Sequence, residues 1–474
     1  MKIKIRAEGG SQIGFGHWSR CLFLVSCADP TIGKNIFTFR ANEFKQFFLD
    51  SELDIVSLND EMDFINEISP GDIVVVDGYD FDSAYLKLLK SKRSLIIYID
   101  DLIYPWLDVD AIINHCPGIK PSDYVDPSPS ASFFLGGDYS LVTTDSEATN
   151  QTATIERLTT LLIAMGGADP DNFTGKIIHD YAEWIKTFEK VVLIIGSTHP
   201  ALKELNEYAL ENNIALHISI SKGEVRDLMK RAGVAILSSS TMALEYAHIG
   251  GLLGIVQTAD NQKNLYRGLI QYGGAMGIED LVKSNDLTDL YGRNISVQRR
   301  SFDGLSADRY RKLFKELELQ GKIRLRKATA TDAQLTFKWA SNSSIRMFSF
   351  SQREISWSEH ESWFEKKITD KTTLYLIAEI GSDTIGSIRF DINEQETIVS
   401  YLIDKSSQGQ GLGRVLLAEG IKELQKTNLQ VNTIIGYVMR SNSISVRIFE
   451  RMGFLQEQAD AKYPDSIKFY KKLK

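Results

Sequence analysis

The segment Gly14-Phe15-Gly16-His17-Trp18-Ser19-Arg20 follows a short apolar run, Ile3–Ile5, and leads into an apolar stretch, Cys21–Ser26, that reads as a helix. A strand, a glycine turn and a helix form the opening unit of a parallel α/β sheet. The rhythm continues through Ile73–Val76, Leu95–Ile99 and Ala111–Ile113, apolar runs that read as buried strands. It resumes with Thr160–Met165, Val191–Ile195, Ile214–Ile218 and Val234–Leu237, which imply a second sheet of the same kind. Between the two sets, Pro, Ser, Asp and Gly accumulate from Pro117 to Gln151, as in a connection between lobes.

The turn itself suits an anion. Glycine lets the main chain come close to a phosphate, and a helix start offers free N–H groups and positive dipole. His17 stands at that turn with Arg20 three residues on, and its near-neutral titration suits a general base. Three later loops have a similar character: Gly166-Gly167-Ala168-Asp169, Ser238-Ser239-Ser240-Thr241, and Ala259-Asp260-Asn261-Gln262, which follows the strand Leu252–Val256. Ligands bind at the C-terminal ends of such strands. The Ser/Thr run can cap the next helix or bind a diphosphate, and Glu245, one helical turn inward, can hold ribose hydroxyls or lie solvated.

A chain of 474 residues exceeds what one core usually organises, so two or three domains are expected. Boundaries fall in 140–156, where the connecting segment ends, and near 320, where the charged helix Ala307–Leu319 gives way to the strand Ile323–Arg326. The expected division is thus 1–150, 151–319 and 320–474. A net charge of -8 excludes a general affinity for nucleic acid, which calls for a basic face. Cys21, Cys27 and Cys116 lack metal-site or disulfide spacing, so no metal and a reducing, cytoplasmic compartment are expected. No run approaches the length of a membrane span, and MKIKIRAEGG reads as a strand and turn instead of an export signal.

In order and spacing, GFGHWSR, AMGGADP, SSSTMALE and TADNQ resemble the UDP-2,4-diacetamido-2,4,6-trideoxy-β-L-altropyranose hydrolases of pseudaminic acid biosynthesis over about residues 1–317. VVVDGYDFD around Asp77 and Tyr79, IDDLI around Asp100 and Asp101, and DGLSADR add to the likeness. The resemblance implies two Rossmann-like lobes in a GT-B arrangement with UDP held across their cleft. It makes His17 the base that activates water, with Tyr79 and Asn261 beside it as catalytic contacts to sugar or water. Gly14, Gly16, Arg20, Gly167, Ser240, Thr241, Glu245, Asp260 and Gln262 become the UDP-sugar contacts. Phe15 and Trp18 are bulkier than the family pattern, which leaves the sugar open.

The last third carries a second anion cradle: the strand Ile398–Ile403, the turn Gln408-Gly409-Gln410-Gly411-Leu412-Gly413-Arg414 and the helix Val415–Gln425. Asn442-Ser443-Ile444-Ser445 and Phe449-Glu450-Arg451-Met452-Gly453-Phe454 follow one strand and helix later. Together these motifs resemble the GNAT acetyltransferases over about residues 322–474, an α+β domain. By that resemblance Leu402, Ile403, Gln408, Gly409, Gly411, Gly413, Arg414, Asn442 and Ser445 hold acetyl-CoA, the co-substrate. FKWASNSSIRMFSFSQREISWSEHESWFEKKI is more particularly similar to the pathway's 4-amino-sugar N-acetyltransferases, which puts Trp339, Arg346, Trp357, His360 and Trp363 near the acceptor. Core tryptophans on paired helices are the competing reading. Phe449 stands where those enzymes carry the Tyr that protonates CoA thiolate, so Tyr401, Tyr437, Tyr470 or water must serve. Glu396 and His360 are candidates for assisting amine deprotonation.

The two resemblances describe consecutive steps: N-acetylation of a UDP-4-amino-4,6-dideoxy sugar, then hydrolytic removal of UDP. Small-molecule UDP-sugar and acetyl-CoA are the expected partners. A glycosyltransferase or hydrolase for a related surface sugar, legionaminic-type or spore-coat, is the alternative enzyme, and a UDP-sugar binding module without chemistry the alternative of another class.

Overall fold

The computed structural model describes residues 1–10, 14–47, 53–143, 155–167, 169–284, 286–393, 396–427, 431–458 and 463–473. The first sheet comprises β1 (Ile3–Ala7), β2 (Lys34–Thr38), β3 (Asp54–Ser57), β4 (Ile73–Asp77), β5 (Leu95–Ile99), β6 (Ala111–Asn114) and β7 (Ser132–Leu135). All pairs are parallel, in the order β3-β2-β1-β4-β5-β6-β7. β1, β4 and β5 are buried at every position, because helices cover both faces of a doubly wound sheet.

The second sheet comprises β8 (Thr160–Ala164), β9 (Lys190–Ile195), β10 (Ala215–Ile218), β11 (Val234–Ser238), β12 (Leu252–Val256) and β13 (Met276–Gly277). Its order, β10-β9-β8-β11-β12-β13, again has the first strand central. The two sheets are Rossmann-like lobes in a GT-B arrangement, with strand C-terminal ends turned toward one another. Asn264 Nδ2 donates to the Asp101 carbonyl at 2.9 Å, and Cys116 Sγ lies 3.0 Å from the Asn264 carbonyl across that junction.

The helix Ser306–Lys322 leaves the second lobe and returns to the first. Tyr310, Leu313, Phe314 and Leu317 are buried in one cluster with β1, β4 and the helix Gly16–Ser26. Residues 306–317 therefore complete the core of the first lobe, although the sequence had assigned them with the second. Local periodicity marks the apolar face of a helix and not the sheet that will cover it. DGLSADR staples this crossing: Arg309 pairs with Asp303 and donates to the Asp138 carbonyl. The helix runs unbroken through residue 320 to Lys322, so the third domain begins directly at its end. The other expected boundary, 140–156, lies largely outside the described residues.

The third sheet comprises β14 (Ile323–Lys327), β15 (Thr373–Ile380), β16 (Asp383–Asn393), β17 (Glu396–Ile403), β18 (Thr433–Met439), β19 (Leu455–Glu457) and β20 (Ser466–Lys472). The order is β14-β15-β16-β17-β18-β20-β19, antiparallel except at β17 and β18. Those two pair only over Glu396–Ile398 against Thr433–Ile435, although both strands continue, so they diverge into a notch. The domain docks on β6 and β7 of the first lobe. Lys422 pairs with Asp110 at 2.7 Å, Arg414 donates to Ser132 Oγ at 2.8 Å, and Phe133 packs over Gly453.

Two candidate active sites

The helix that carries His17 begins at Gly16, earlier than the apolar pattern suggests, so His17 occupies its first turn instead of the preceding loop. Phe15, at the cap, offers no side-chain acceptor to the helix start. Trp18 is fully buried, donates to the Ala7 carbonyl at 3.2 Å and packs over Gly9, which explains its bulk as core packing.

From His17 a continuous polar network crosses the ends of β4 and β5. His17 Nδ1 lies 2.6 Å from Asp77 Oδ1, and Arg20 donates to both oxygens of Asp77, with Nε at 2.6 Å from Oδ2. Arg20 Nη1 reaches Asp101 at 2.8 Å, and Tyr79 donates to Asp101 at 3.0 Å. From the second lobe, Asn261 donates to the Tyr79 hydroxyl at 2.7 Å. Arg20 Nη2 is also 3.1 Å from His17 Nδ1. Two N–H groups sharing Asp77 Oδ1 satisfy both contacts, which puts the Nδ1 proton toward Asp77 and leaves Nε2 as the basic nitrogen.

Burial opposes the charge on Asp77, yet Arg20 and then His17 overcome it and hold the carboxyl well below its ordinary range. Asp101 is likewise lowered against burial, chiefly by Arg20 and then His115. Burial, then Asp101, keeps the Tyr79 phenol protonated by raising its pKa. His115 is buried 3.8 Å from Asp101, and desolvation lowers it to about 4.

Across the cleft, a methyl group built on Gly16 would lie 3.8 Å from Thr241 Oγ1, so the glycine turn faces the start of the helix Thr241–Ile249. Gly14 has positive φ and open space beside it. Ser240 caps that helix through Met242 N, and its Oγ lies 3.1 Å from Ser238 Oγ. Glu245 sits 3.3 Å from Lys222, and Gln262 braces its own turn by accepting from Thr258 N at 2.8 Å. Asp260 is exposed beside it. Gly167 is open, whereas Asp169 of the same motif caps the helix Phe173–Asp180 and binds the buried His199 at 3.1 Å. Asp77, Asp101, His115 and Asn264 were not singled out as site residues from sequence. The usable signal was an aspartate at or just beyond the end of each of two adjacent apolar strands.

In the third domain Gly409 and Gly411 both take positive φ, and a side chain added at Gly409 would meet open space. With the helix Leu412–Gln425 beginning directly after them, this backbone fits a diphosphate. Leu402 and Ile403 lie on β17 beyond its pairing with β18, and Gln408 Nε2 donates to the Ile403 carbonyl at 3.1 Å. Gly413 lies in the first turn of the helix, where an added side chain would press on Ile448 Cδ1 at 2.8 Å. Asn442 caps the helix Ser443–Arg451 by accepting from Ser445 N at 3.1 Å.

Arg414 departs from its expected place at the acetyl-CoA loop. It is buried, bonded to Glu316 and Ser132, and so committed to the domain junction. His360 is buried against Thr336 Oγ1 at 3.0 Å among Phe337, Trp363 and Phe364, which removes it as a base. Trp339 is core, and Arg346 donates to carbonyls of its own segment. Trp357 packs edge-on against Phe337, while Trp363 is partly exposed beneath Arg389. Glu396 lies where β17 and β18 are still paired, at the opposite end of the strand from the notch.

Phe449 is buried between Phe469 and Phe454, with its para carbon against the Gly436 backbone. Tyr401 lies on the diverging part of β17 with its hydroxyl 3.2 Å from Ser445 Oγ, and burial pushes it up to about 12. Tyr437 packs on Tyr463, and Tyr470 alternates with the core residue Phe469 and so faces the opposite side of the sheet. Among the described residues no group of three or more His, Cys, Asp and Glu could hold a metal, and no helix is long and apolar enough to cross a membrane.

Residues 322–455 match the acetyltransferase (GNAT) domain family. An uncharacterized protein of Methanocaldococcus jannaschii is 23% identical and aligned over 96% of both chains. The UDP-2,4-diacetamido-2,4,6-trideoxy-β-L-altropyranose hydrolase of Campylobacter jejuni is 28% identical over 52% of this chain and 87% of its own. The acetyltransferase PseH of the same species is 27% identical over 28% of this chain and 84% of its own. By shape, spermidine N-acetyltransferase of Vibrio cholerae in complex with CoA and spermine covers 32% of this chain and 95% of its own, at 22% identity and a TM-score of 0.29. The chain thus carries a GNAT acetyltransferase domain, joined to a two-lobed module with a hydrolase relative at low identity.

Proposed function

We propose that the protein is a bifunctional enzyme of UDP-linked amino sugars. The acetyltransferase moves the acetyl group of acetyl-CoA to the C4 amine of a UDP-4-amino-4,6-dideoxy-HexNAc, and the two-lobed module hydrolyses the resulting UDP-2,4-diacetamido-2,4,6-trideoxy sugar to UDP and free sugar. The observation that carries the hydrolytic half is the Asp77–His17 pair at the strand ends, linked through Arg20, Asp101 and Tyr79 to Asn261 of the second lobe, beside a glycine turn whose Gly16 faces Thr241.

In this reaction His17 Nε2 takes a proton from water, whose oxygen bonds to the anomeric carbon as the bond to the β-phosphate oxygen breaks. The electron pair leaves on UDP, whose charge meets the N–H groups of the two helix starts. Asp77 stabilises the imidazolium that forms, as an orienting carboxylate does in a catalytic triad. Gly14, Gly16, Ser240 and Thr241 face the diphosphate, and Glu245 the ribose. In the acetyltransferase the neutral amine attacks the thioester carbonyl, the C–S bond breaks with its electron pair leaving on sulfur, Tyr401 protonates the CoA thiolate, and the proton shed by the nitrogen passes through water to restore the Tyr401 phenol. Gln408, Gly409, Gly411 and Gly413 hold the diphosphate of acetyl-CoA, beside Leu402, Ile403, Asn442 and Ser445.

Mass-resolved product analysis with UDP-4-amino-4,6-dideoxy-β-L-AltNAc, with and without acetyl-CoA, tests the proposal. Acetyl-CoA-dependent formation of a diacetamido sugar plus UDP is expected. UDP release without acetylation would leave the hydrolase alone. A glycoside formed only with a sugar acceptor would make it a glycosyltransferase, and UDP binding without turnover in either half would refute catalysis.

A further inference from the structure

The helix Ser306–Lys322, which belongs to the core of the first lobe, delivers a carboxylate to the acetyltransferase's glycine loop. A methyl group built on Gly411 would meet Glu316 Oε1 at 2.8 Å and its Cγ at 2.5 Å. A negative charge so near a diphosphate cradle would repel the diphosphate. Arg414, two residues inside the following helix, bonds to the same carboxylate through Nε, and its Nη1 is fixed on Ser132 of β7 at 2.8 Å. The pair is almost wholly buried, with side-chain exposures of 2% for Arg414 and 9% for Glu316. Arg414 Nη2 has no hydrogen-bond partner among the described residues.

We propose that Arg414 is a positioning counter-ion and not a phosphate ligand. It neutralises the Glu316 carboxylate that abuts Gly411, and so sets the loop's affinity for the diphosphate of acetyl-CoA. Both lobes of this device lie outside the acetyltransferase's own sheet: Glu316 comes from the crossing helix and Ser132 from the first-lobe edge strand. Acetyl-CoA affinity is thereby tied to the docked arrangement of the domains. The inference rests on reading residues 408–413 as the acetyl-CoA loop.

Titration of the full chain with coenzyme A tests it on wild type, Arg414→Gln, Glu316→Gln and the double variant, with thermal melting as the check of folding. A unit charge about 6–12 Å from a charge on the diphosphate, at an effective permittivity of about 20, changes Kd roughly tenfold to a hundredfold. Arg414→Gln exposes the loop to a bare carboxylate, so Kd should rise by about tenfold or more, and the loss should shrink in high salt. Glu316→Gln should bind as tightly as wild type or more so, and the double variant should return to within about threefold of it. A merely structural ion pair would weaken binding in both single variants. That pattern, or a double variant no better than Arg414→Gln, would overturn the inference while leaving the acetyl-CoA site standing. If Arg414→Gln does not fold, Glu316→Gln alone decides by its sign. Failure of wild type to bind coenzyme A would remove the site and the inference together.

Discussion

Replacing Asp77 with Asn tests the proposed hydrolytic site at the point where the structure makes the largest demand. Asp77 is fully buried and accepts from His17 Nδ1 at 2.6 Å, Arg20 Nε at 2.6 Å and Arg20 Nη2 at 2.5 Å. An amide brings one acceptor oxygen and an NH2 donor to a place furnished with three donors. A hydrogen bond to a charged group contributes about 1.5–3 kcal/mol, and each 1.4 kcal/mol is a decade, so the lost stabilisation of imidazolium slows the reaction roughly tenfold to a hundredfold. Where the amide NH2 faces His17, the ring inverts its tautomer, Nε2 carries the proton, and the base is gone. The combined expectation is a fall of about 10³ in kcat for UDP release, about a decade less than the roughly 10⁴ of the equivalent change in a serine-protease triad. KM should move little. Arg20 keeps Asp101 at 2.8 Å, so the loss of stability should stay near the lower end of about 3–5 kcal/mol for breaking a buried pair.

The assay is UDP release at pH 7–8 with saturating UDP-sugar, using acetyl transfer by the same molecule as the control for folding. The lowered pKa of Asp77 supplies stability above its unfolded value and loses it only as pH falls through the folded one, so the carboxylate is fully ionised in this window. A folded Asp77→Asn protein that releases UDP within about threefold of wild type would refute the dyad.

His17→Ala should abolish UDP release and leave acetyl transfer intact, measured on the two products separately. Gly411→Ala forces a side chain into positive φ and against Glu316, so it should lower both the melting temperature and coenzyme A affinity. Phe449→Tyr should destabilise by about 1–3 kcal/mol without accelerating acetyl transfer, because it adds a hydroxyl to a ring buried against Phe454 and Phe469; a faster enzyme would show that the ring can turn toward the notch. Tyr401→Phe should slow acetyl transfer at unchanged acetyl-CoA KM. Burial raises Asp100 to about 6, so it favours the fold below its unfolded value near 3.9 and loses that contribution as pH rises through 6. Asp100→Asn should therefore flatten the melting profile between about pH 4 and 6, a change worth at most about 3 kcal/mol.

The strands that decide the fold were plain in the chain because they are buried on both faces. Leu95–Ile99 and Leu252–Val256 read as they fold, since an unbroken apolar run leaves nothing else for the segment to do. Edge strands such as Asp54–Ser57, with exposed ends and no apolar signature, did not announce themselves. The glycine turns were equally legible as turns, since Gly14, Gly409 and Gly411 take a positive φ that few other residues adopt. What local sequence could not carry was which aspartates meet Arg20, since Asp77 and Asp101 lie 57 and 81 residues away and converge only when β4 and β5 lie side by side. The same holds for Arg414 and His360. Each looked functional beside its motif, and each was claimed by a partner from another element: Glu316 in one case and Thr336 in the other. Short-range pattern thus determined the two α/β lobes, the acetyltransferase domain and the glycine turns at the strand ends. Long-range packing alone decided where each charge is spent, because a buried ionic group takes whichever partner the fold brings within hydrogen-bonding distance.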